Sequence, residues 1–389
     1  MITRIRCGTL FDGTGSQARE QMDVLVEDGT ILDVRDADTS EAGVDGIDLG
    51  RFFVLPGLID AHTHLSIVPA QGDQLSQLRQ PASQQALRVP GNIQRDLLAG
   101  TTTLRIMGEE DWLDVFARQA IDEGSLVGPR LVIATRGLAA SNGHGRGKSA
   151  FDGVEELRKA ARENLDHGAD FLKVFATGGV ASGTGIGSAM YTYDELRVVV
   201  EEAERKGTYV AAHAHGGPGL SLAARAGVRT IEHASLATES DLELLLAHDC
   251  WLIVTLSILF HPDGIERGDG ARPDILRGLQ EARGHVHESV RRIFASGLRI
   301  ALGTDSMHGC MAYEIGLAVE LGLPPADALR AATGWAAEAL CIADRTGTIE
   351  AGKAADIIAV DGNPLVDPCA LERVVFVMKG GRQYGSSTG

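Results

Sequence analysis

Residues 57–64 have the sequence GLIDAHTH, an apolar segment that ends in two histidines separated by one residue. Successive side chains of a strand point to opposite faces, so His62 and His64 lie on the same face and can bind one metal ion. An open doubly wound sheet would instead need a Gly-rich turn directly after its first strand. The segment therefore favours a closed parallel barrel, with this strand as its first.

Seven more apolar segments follow, and helical stretches ending in glycine, such as 153–168 and 192–207, lie between several of them. The segments are GTTTLRIM, PRLVIAT, DFLKVFAT, TYVAAHAH, VRTIEHAS, CWLIVTLS and LRIALGTD. Alternating strands and helices of this number predict an α/β fold, a TIM-type (β/α)8 barrel over residues 55–348. Its functional face is expected at the carboxyl ends of the strands.

The two ends of the chain are both rich in β-forming residues. Residues 1–54 and 349–389 contain short strand patterns, and Asp28-Gly29 is typical of a hairpin turn. We expect both ends to pair into one small β-sandwich domain beside the barrel.

Composition excludes several classes of partner and compartment. The 389 residues carry a net charge of −17, whereas nucleic acids and anionic membranes need a positive surface. The start lacks a signal-peptide pattern, no run of about 18 apolar residues occurs, and the five cysteines are scattered. We therefore expect a cytoplasmic homo-oligomer that acts on a small molecule or peptide.

Unusual polar residues fall at the carboxyl ends of the predicted strands. A lone histidine is more often structural, but histidines, a lysine and an aspartate at one barrel mouth indicate a metal site. The residues are His62, His64, Lys173, His213, His233 and Asp305.

Lys173 is the unexpected member, since a buried ammonium would be repelled by neighbouring cations. One interpretation is that its amine reacts with carbon dioxide to give a carbamate, whose two oxygens bridge two metals. In the alternative, Lys173 points outward and only packs among its apolar neighbours. We favour the carbamate.

These segments resemble the amidohydrolase superfamily, in the branch of imidazolonepropionase-like enzymes and Xaa-Pro or Xaa-Arg dipeptidases. The resemblance covers essentially the whole chain and is carried by LPGLIDAHTHL, LKVFATGGV, VAAHAHG, TIEHAS, LGTDS and AGKAADIIAVDGNPL. It implies two zinc ions held by the six residues above, with Lys173 carboxylated.

Two further histidines follow from this resemblance. His213, rather than His215, matches the branch's separation from His233, which leaves His215 beside the substrate or as a donor behind the ligands. Asn142-Gly143-His144-Gly145 is similar to the family's Gly-Gly-His-Gly turn, whose histidine polarises the scissile carbonyl. The alternative for His144 is an exposed loop histidine.

The expected reaction is hydrolysis of an amide or related bond. Two divalent ions would lower the pKa of a shared water, and Asp305 would accept its proton and pass it to the leaving nitrogen. A dipeptide, an N-acyl amino acid or a peptide-derived compound would suit this site.

Departures from the family lie near the expected substrate face. Arg105 is followed by Ile106 rather than aspartate, and Met190 precedes Tyr191 where relatives often have glutamine. We assign Arg105 and Tyr191, with His144 and His215, to substrate binding, and we expect the glycine-rich loop 178–187 to be a mobile lid.

Other functions fit less well. No serine lies in a G-x-S-x-G elbow, and His285 and His287 lie in a helical pattern that would leave them on an exposed face. A deaminase or a lactam or imidazolone hydrolase of the same superfamily and a catalytically silent scaffold stay open. Two, one or no zinc ions per chain would favour amide hydrolase, deaminase and scaffold respectively.

Overall fold

The structure is a computed structural model that describes residues 2–15, 17–37, 46–179, 185–269 and 272–385. These residues form the strands β1 (Ile2–Leu10), β2 (Arg19–Glu27), β3 (Thr30–Asp36), β4 (Gly46–Pro56), β5 (Leu58–Thr63), β6 (Thr101–Ile106), β7 (Arg130–Ile133), β8 (Leu172–Phe175), β9 (Val210–Ala214), β10 (Thr230–His233), β11 (Trp251–Val254), β12 (Arg299–Leu302), β13 (Ile357–Val360), β14 (Val374–Lys379) and β15 (Arg382–Tyr384).

The same residues form α-helices and two short 3₁₀ turns, Pro69–Gln71 and Pro368–Glu372. The helices are α1 (Gln74–Leu78), α2 (Ala82–Leu98), α3 (Leu113–Asp122), α4 (Gly153–Asp166), α5 (Tyr193–Lys206), α6 (Gly217–Ala226), α7 (Glu239–Ala247), α8 (Ser257–Phe260), α9 (Ile265–Asp269), α10 (Pro273–Ala295), α11 (Met311–Glu320), α12 (Pro325–Ala331) and α13 (Gly334–Ala339). No helix in the described ranges is both long and apolar enough to cross a membrane.

The two ends of the chain build one seven-stranded sheet with the order β15-β14-β13-β4-β1-β2-β3. β13 from the C-terminal part pairs antiparallel with β4 from the N-terminal part, which confirms that both ends contribute. Asp28 and Gly29 join β2 to β3 with φ values of 48° and 83°, the left-handed conformation that a tight hairpin turn requires. The predicted hairpin is therefore confirmed.

Eight parallel strands form the middle of the chain, and each lies within one of the eight segments predicted from sequence. They pair in two sheets, β5-β6-β7 and β12-β11-β10-β9-β8. Leu138, after β7, bridges to Val174 of β8, and at the other junction the Asp305 amide donates to the His62 carbonyl at 2.8 Å. These contacts hold the two sheets side by side.

The helices between these strands follow local sequence rules. α5 begins at a capping box, in which Thr192 and Glu195 satisfy each other's backbone N–H groups. It ends at Gly207, whose φ of 74° suits the left-handed C-cap. α10 contains His285 and His287, and both are exposed, as predicted.

Two segments cover the carboxyl ends of the parallel strands, and we call them the roof: residues 69–78 and 258–269. They meet where the Asp73 amide donates to Asp269 Oδ1 at 2.9 Å. A Cβ on Gly268 would lie 2.0 Å from the Pro69 carbonyl oxygen, so this contact needs a residue without a side chain. Half of the predicted lid, residues 180–184, lies outside the described residues.

Candidate metal centre

The six predicted metal ligands surround one cavity of about 70 Å³ beneath the roof. Its polar wall consists of His62, His64, His144, Lys173, His213, His215, His233, Ser235, Thr255 and Asp305, with Gln74 from the roof. They come from the carboxyl ends of different strands or from the loops that follow, and this places them on one face.

His62, His64 and Asp305 form the tightest group of possible ligands, with donor atoms within 4.8 Å of one another. Asp305 Oδ1 lies 3.5 Å from His62 Nε2 and 3.8 Å from His64 Nε2. The other ring nitrogens are engaged, since His62 Nδ1 contacts Glu232 Oε2 at 2.7 Å and His64 Nδ1 contacts the Gly108 carbonyl at 3.0 Å. Both imidazoles therefore have Nε2 left for an ion.

His213 and His233 form the second pair of predicted ligands, with ring centroids 4.7 Å apart. His233 Nδ1 contacts Thr255 Oγ1 at 2.7 Å, whereas His213 Nε2 contacts the Gly178 carbonyl at 3.2 Å. If these nitrogens carry the protons, His233 would bind an ion through Nε2 and His213 through Nδ1.

Burial keeps the imidazoles of His64, His213 and His233 neutral at physiological pH. Desolvation lowers the pKa of His64 to about 4 and holds the pKa values of His213 and His233 well below their usual range. Neutral imidazole is the form that binds metals, so no proton has to leave these rings first.

Lys173 lies at the centre of this group, with 1% of its surface exposed. Its Nζ has no hydrogen-bond partner among the described residues and lies 5.0 Å from the centroid of the Phe175 ring. Burial lowers the pKa of the amine to about 8. The side chain lines the cavity, which contradicts the alternative in which it points outward.

Asp305 is ionised in this surrounding. Burial alone would raise the pKa of its carboxyl group, but the hydrogen-bond contact with His62 holds that pKa well below its usual range. Its backbone has a φ of 51°, and His233 has a φ of 75°, so both turn sharply at the end of their strands.

His144 and His215 complete the cavity wall. The His144 ring lies 4.5 Å from the His213 ring, and His144 Nδ1 has no partner among the described residues. Burial lowers the pKa of His144 to about 4 and that of His215 to about 3, while His215 Nδ1 contacts Ser235 Oγ at 3.1 Å. His144 thus lines the cavity, contrary to the exposed-loop alternative.

Comparison with known proteins identifies the family to which the chain belongs. The sequence profile of the amidohydrolase family matches residues 53–384, which is most of the chain. The chain belongs to the amidohydrolase family. Membership makes it a hydrolase that acts on carbon–nitrogen bonds, and a TIM-like barrel is the fold that the family implies.

Several amidohydrolase relatives are similar along most of the chain. Ochratoxinase from Aspergillus niger is 30% identical over 365 residues, covering 85% of this chain and 75% of the relative. A crystal structure of a Xaa-Pro dipeptidase with methionine bound in its active site superposes with a TM-score of 0.91 at 30% identity, over 99% of this chain and 100% of that one. Imidazolonepropionase from Haloarcula marismortui is 25% identical over 396 residues, covering 91% of this chain and 86% of the relative.

Arg105 does not line the cavity of this amidohydrolase, and its assignment to substrate binding is corrected. The side chain is fully buried below the histidines, where Nε donates to the Ala61 carbonyl at 2.5 Å and a terminal nitrogen donates to Glu232 Oε2 at 2.7 Å. Arg105 lies within β6 rather than after it, so its side chain enters the strand layer instead of the open mouth.

Tyr191 is also absent from the cavity wall. It is 4% exposed, packs in the main apolar core, and its hydroxyl donates to the Phe151 carbonyl at 2.9 Å. The hydroxyl is thus satisfied by the backbone, and the predicted contact with substrate is corrected in the same way.

Glu232 is the functional neighbour that the sequence analysis missed. Its Oε2 lies 2.7 Å from both His62 Nδ1 and the Arg105 guanidinium, so one carboxylate orients a predicted ligand and neutralises a buried cation. Burial opposes its ionisation, but Arg105 and then His62 lower its pKa to about 2. Thr230 and Glu232, two apart on β10, share the face that meets Arg105, and this spacing was visible in TIEHAS.

We expect Glu232→Gln to destabilise the fold by about 3–5 kcal/mol, because it leaves the fully buried Arg105 without its charge partner. The free energy of unfolding in urea measures this loss. Glu204→Gln is the control, since Glu204 pairs with Arg197 on the surface, where an ion pair contributes about 0–1 kcal/mol. Equal losses in the two variants would contradict the prediction.

Proposed function

We propose that the protein hydrolyses the amide or peptide bond of a dipeptide, N-acyl amino acid or other peptide-derived substrate, using two divalent metal ions, zinc in the first instance. The observation that carries this proposal is the buried Lys173 amine, which lies among histidines and an aspartate and has no hydrogen-bond partner in the described part of the chain.

The residues present fit a two-metal centre. With a pKa lowered to about 8, a substantial fraction of the Lys173 amine is neutral near pH 7.5, and a neutral amine can attack carbon dioxide. The nitrogen forms a bond to carbon and loses one proton, which gives a carbamate anion. Lys173 would then contribute to both ions, His62, His64 and Asp305 to one, and His213 and His233 to the other.

Bound divalent ions would supply Lewis acidity, which lowers the pKa of a nucleophilic water and polarises a carbonyl oxygen. Asp305 would accept the water's proton on a carboxylate oxygen and pass it to the leaving nitrogen. His144 is neutral, so its single ring N–H would donate to the carbonyl oxygen of the substrate. His215 would orient the substrate from the same wall.

The apolar part of the cavity supports a substrate with an apolar side chain. The apolar residues of its wall are Ile67, Leu78, Phe175, Ile258, Leu259 and Ile265, so part of the cavity suits an apolar group. The relatives named Xaa-Pro dipeptidase and ochratoxinase agree with an amide substrate.

The test is a hydrolysis screen of zinc-loaded protein against dipeptides, N-acyl amino acids, lactams and phosphotriesters, with metal content measured in parallel. We expect about two zinc ions per chain and turnover of the first two classes. One zinc ion per chain, with release of ammonia from a nucleobase or related ring, would support the deaminase. Absence of both metal and turnover would support the scaffold.

His144→Ala should reduce kcat and kcat/KM together by about 10²–10³, if His144 behaves as an oxyanion-hole donor. Its contact with a carbonyl oxygen strengthens only as charge develops there, so metal content should not change. His248→Ala, at an exposed position, is the control. Full metal and wild-type kcat in His144→Ala would assign His144 no catalytic role.

We also propose that the eight parallel strands close into one barrel and that the seven-stranded sheet forms a separate sandwich domain. The hydrogen bonds at both junctions of the parallel sheets support closure: Thr304 N to Asp60 Oδ1 at 3.0 Å and Leu138 N to the Lys173 carbonyl at 2.8 Å. A homo-oligomer in the cytoplasm remains a proposal that sedimentation and fractionation would test.

A further inference from the structure

A second, larger pocket adjoins the metal cavity and carries positive charge. Its volume is about 330 Å³, and its charged and polar wall includes Asp73, Arg79, Ser141, Asn142, Arg146 and Arg272. We call it the arginine pocket. Three guanidinium groups face one carboxylate here, in a chain whose net charge is −17. The wall of the pocket is therefore positive although the chain as a whole is negative, which favours an anionic ligand.

The arginine pocket is continuous with the candidate metal centre. Leu75, on the roof, lines both cavities. Residues 141–143 and Arg146 belong to the same turn as His144, which lines the inner cavity. A substrate whose carbonyl lies beneath His144 would therefore extend past Leu75 towards Arg146.

The two arginines nearest this turn donate hydrogen bonds to backbone carbonyls, and Arg146 also lies near enough to Asp152 to help lower the pKa of that carboxyl group. A terminal nitrogen of Arg79 donates to the Arg146 carbonyl at 3.2 Å, and one of Arg146 donates to the Ser141 carbonyl at 3.1 Å. Neither arginine forms an ion pair with any carboxylate in the described part of the chain. Each guanidinium has five N–H groups, so donors remain for an anion.

The one acid in the pocket is engaged elsewhere. Asp73 Oδ1 accepts the amide of Ser76 at 3.1 Å and caps the short helix α1. Its charge offsets only part of that of the three arginines, so the pocket wall retains an excess of positive charge. Arginine presents its donors in a planar fork that matches a carboxylate, which makes this anion the natural occupant.

We propose that Arg79 and Arg146 bind a carboxylate of the substrate, so that the enzyme acts on amides that carry a free carboxylate beyond the scissile bond. The inner cavity then takes the apolar part of the substrate, and the arginine pocket takes its charged end. This inference rests on the proposed amide hydrolysis, from which its test can be separated.

The test uses zinc-loaded protein and two ligands that differ only in charge, N-acetylmethionine and N-acetylmethioninamide. Calorimetry measures their affinities, with zinc-loaded Asp305→Asn as the background if either ligand is hydrolysed, and kcat/KM is measured for the best amide of the screen and for its derivative with the carboxylate converted to an amide. We expect the wild type to prefer the acid by about tenfold or more, since a hydrogen bond to a charged group is stronger than one to a neutral group.

Arg79→Gln and Arg146→Gln should each reduce this preference about tenfold, and Arg146→Lys should retain part of it. Arg225→Gln removes one exposed charge outside the pocket and should leave the preference unchanged. A wild-type ratio near one, or a ratio that persists in both glutamine variants, would overturn the proposal, because the carboxylate would then be bound elsewhere.

The two proposals fail differently in this design. Amide hydrolysis with a preference that ignores Arg79 and Arg146 would refute the arginine pocket and leave the proposed function intact. An arginine-dependent preference in binding, with no amide hydrolysed, would support the pocket and refute the proposed function.

Discussion

Lys173→Ala is expected to lose most of its bound metal and nearly all of its turnover. The wild-type amine is buried and has no hydrogen-bond partner among the described residues, so we expect its role to come from a group that it binds. Removing it leaves the histidines to hold two cations without the anion that would separate and neutralise them. Metal content by mass spectrometry and kcat for the best amide measure the two losses.

Short carboxylic acids should partly restore both quantities in Lys173→Ala, because a carboxylate can occupy the space of a carbamate. Lys159→Ala, on the exposed face of α4, should retain metal and turnover. An active wild-type enzyme whose intact mass and crystal structure show an unmodified lysine would disprove the carbamate. Failure of every small acid to rescue would instead indicate that alanine disturbs the cavity itself.

Asp305→Asn should keep much of its metal and lose turnover by orders of magnitude. The amide oxygen can still contact an ion, but it cannot accept a proton from water and pass it to a leaving nitrogen. The carboxylate pKa lies well below its usual range, so the wild-type base is present throughout the neutral range, and its ionisation limits the rate only in strong acid. The depressed pKa also means that its contribution to stability is lost only as the pH falls below the unfolded value of about 3.9.

The measurement is kcat at matched metal content, with Asp344→Asn as an exposed control. Near-normal turnover in a metal-loaded Asp305→Asn protein would remove Asp305 from the proton transfer. Loss of both metal and turnover would show that its main role is as a ligand.

The strands, and the position of the six predicted ligands around one cavity, could be predicted because they depend on local order. His62 and His64 are two apart on a strand, and His213, His233 and Asp305 each lie at or just after a strand end. A period of two and the geometry of a parallel barrel are sufficient to bring such residues to one mouth.

The depth of a side chain below that mouth could not be predicted in the same way. Arg105 and Tyr191 looked suitable for substrate binding, but one lies inside β6 and the other in the apolar core. The roof was missed for a related reason. Asp73 and Asp269 meet across nearly two hundred residues of sequence, and no local pattern specifies which distant segments will pack together.

The left-handed backbone at His233 and Asp305 couples folding to the contents of the cavity. A non-glycine residue in this conformation costs about 1–2 kcal/mol, so these two ligands together oppose folding by about 2–4 kcal/mol. In metal-free protein nothing offsets this cost or the cost of burying the Lys173 amine. An ion that binds only the folded state offsets it by mass action, by about 2.7 kcal/mol at a hundred times its dissociation constant. The melting temperature of this hydrolase should therefore rise with the free metal concentration. Because of the two left-handed turns at the proposed ligands, thermal stability would report how much metal the protein has bound.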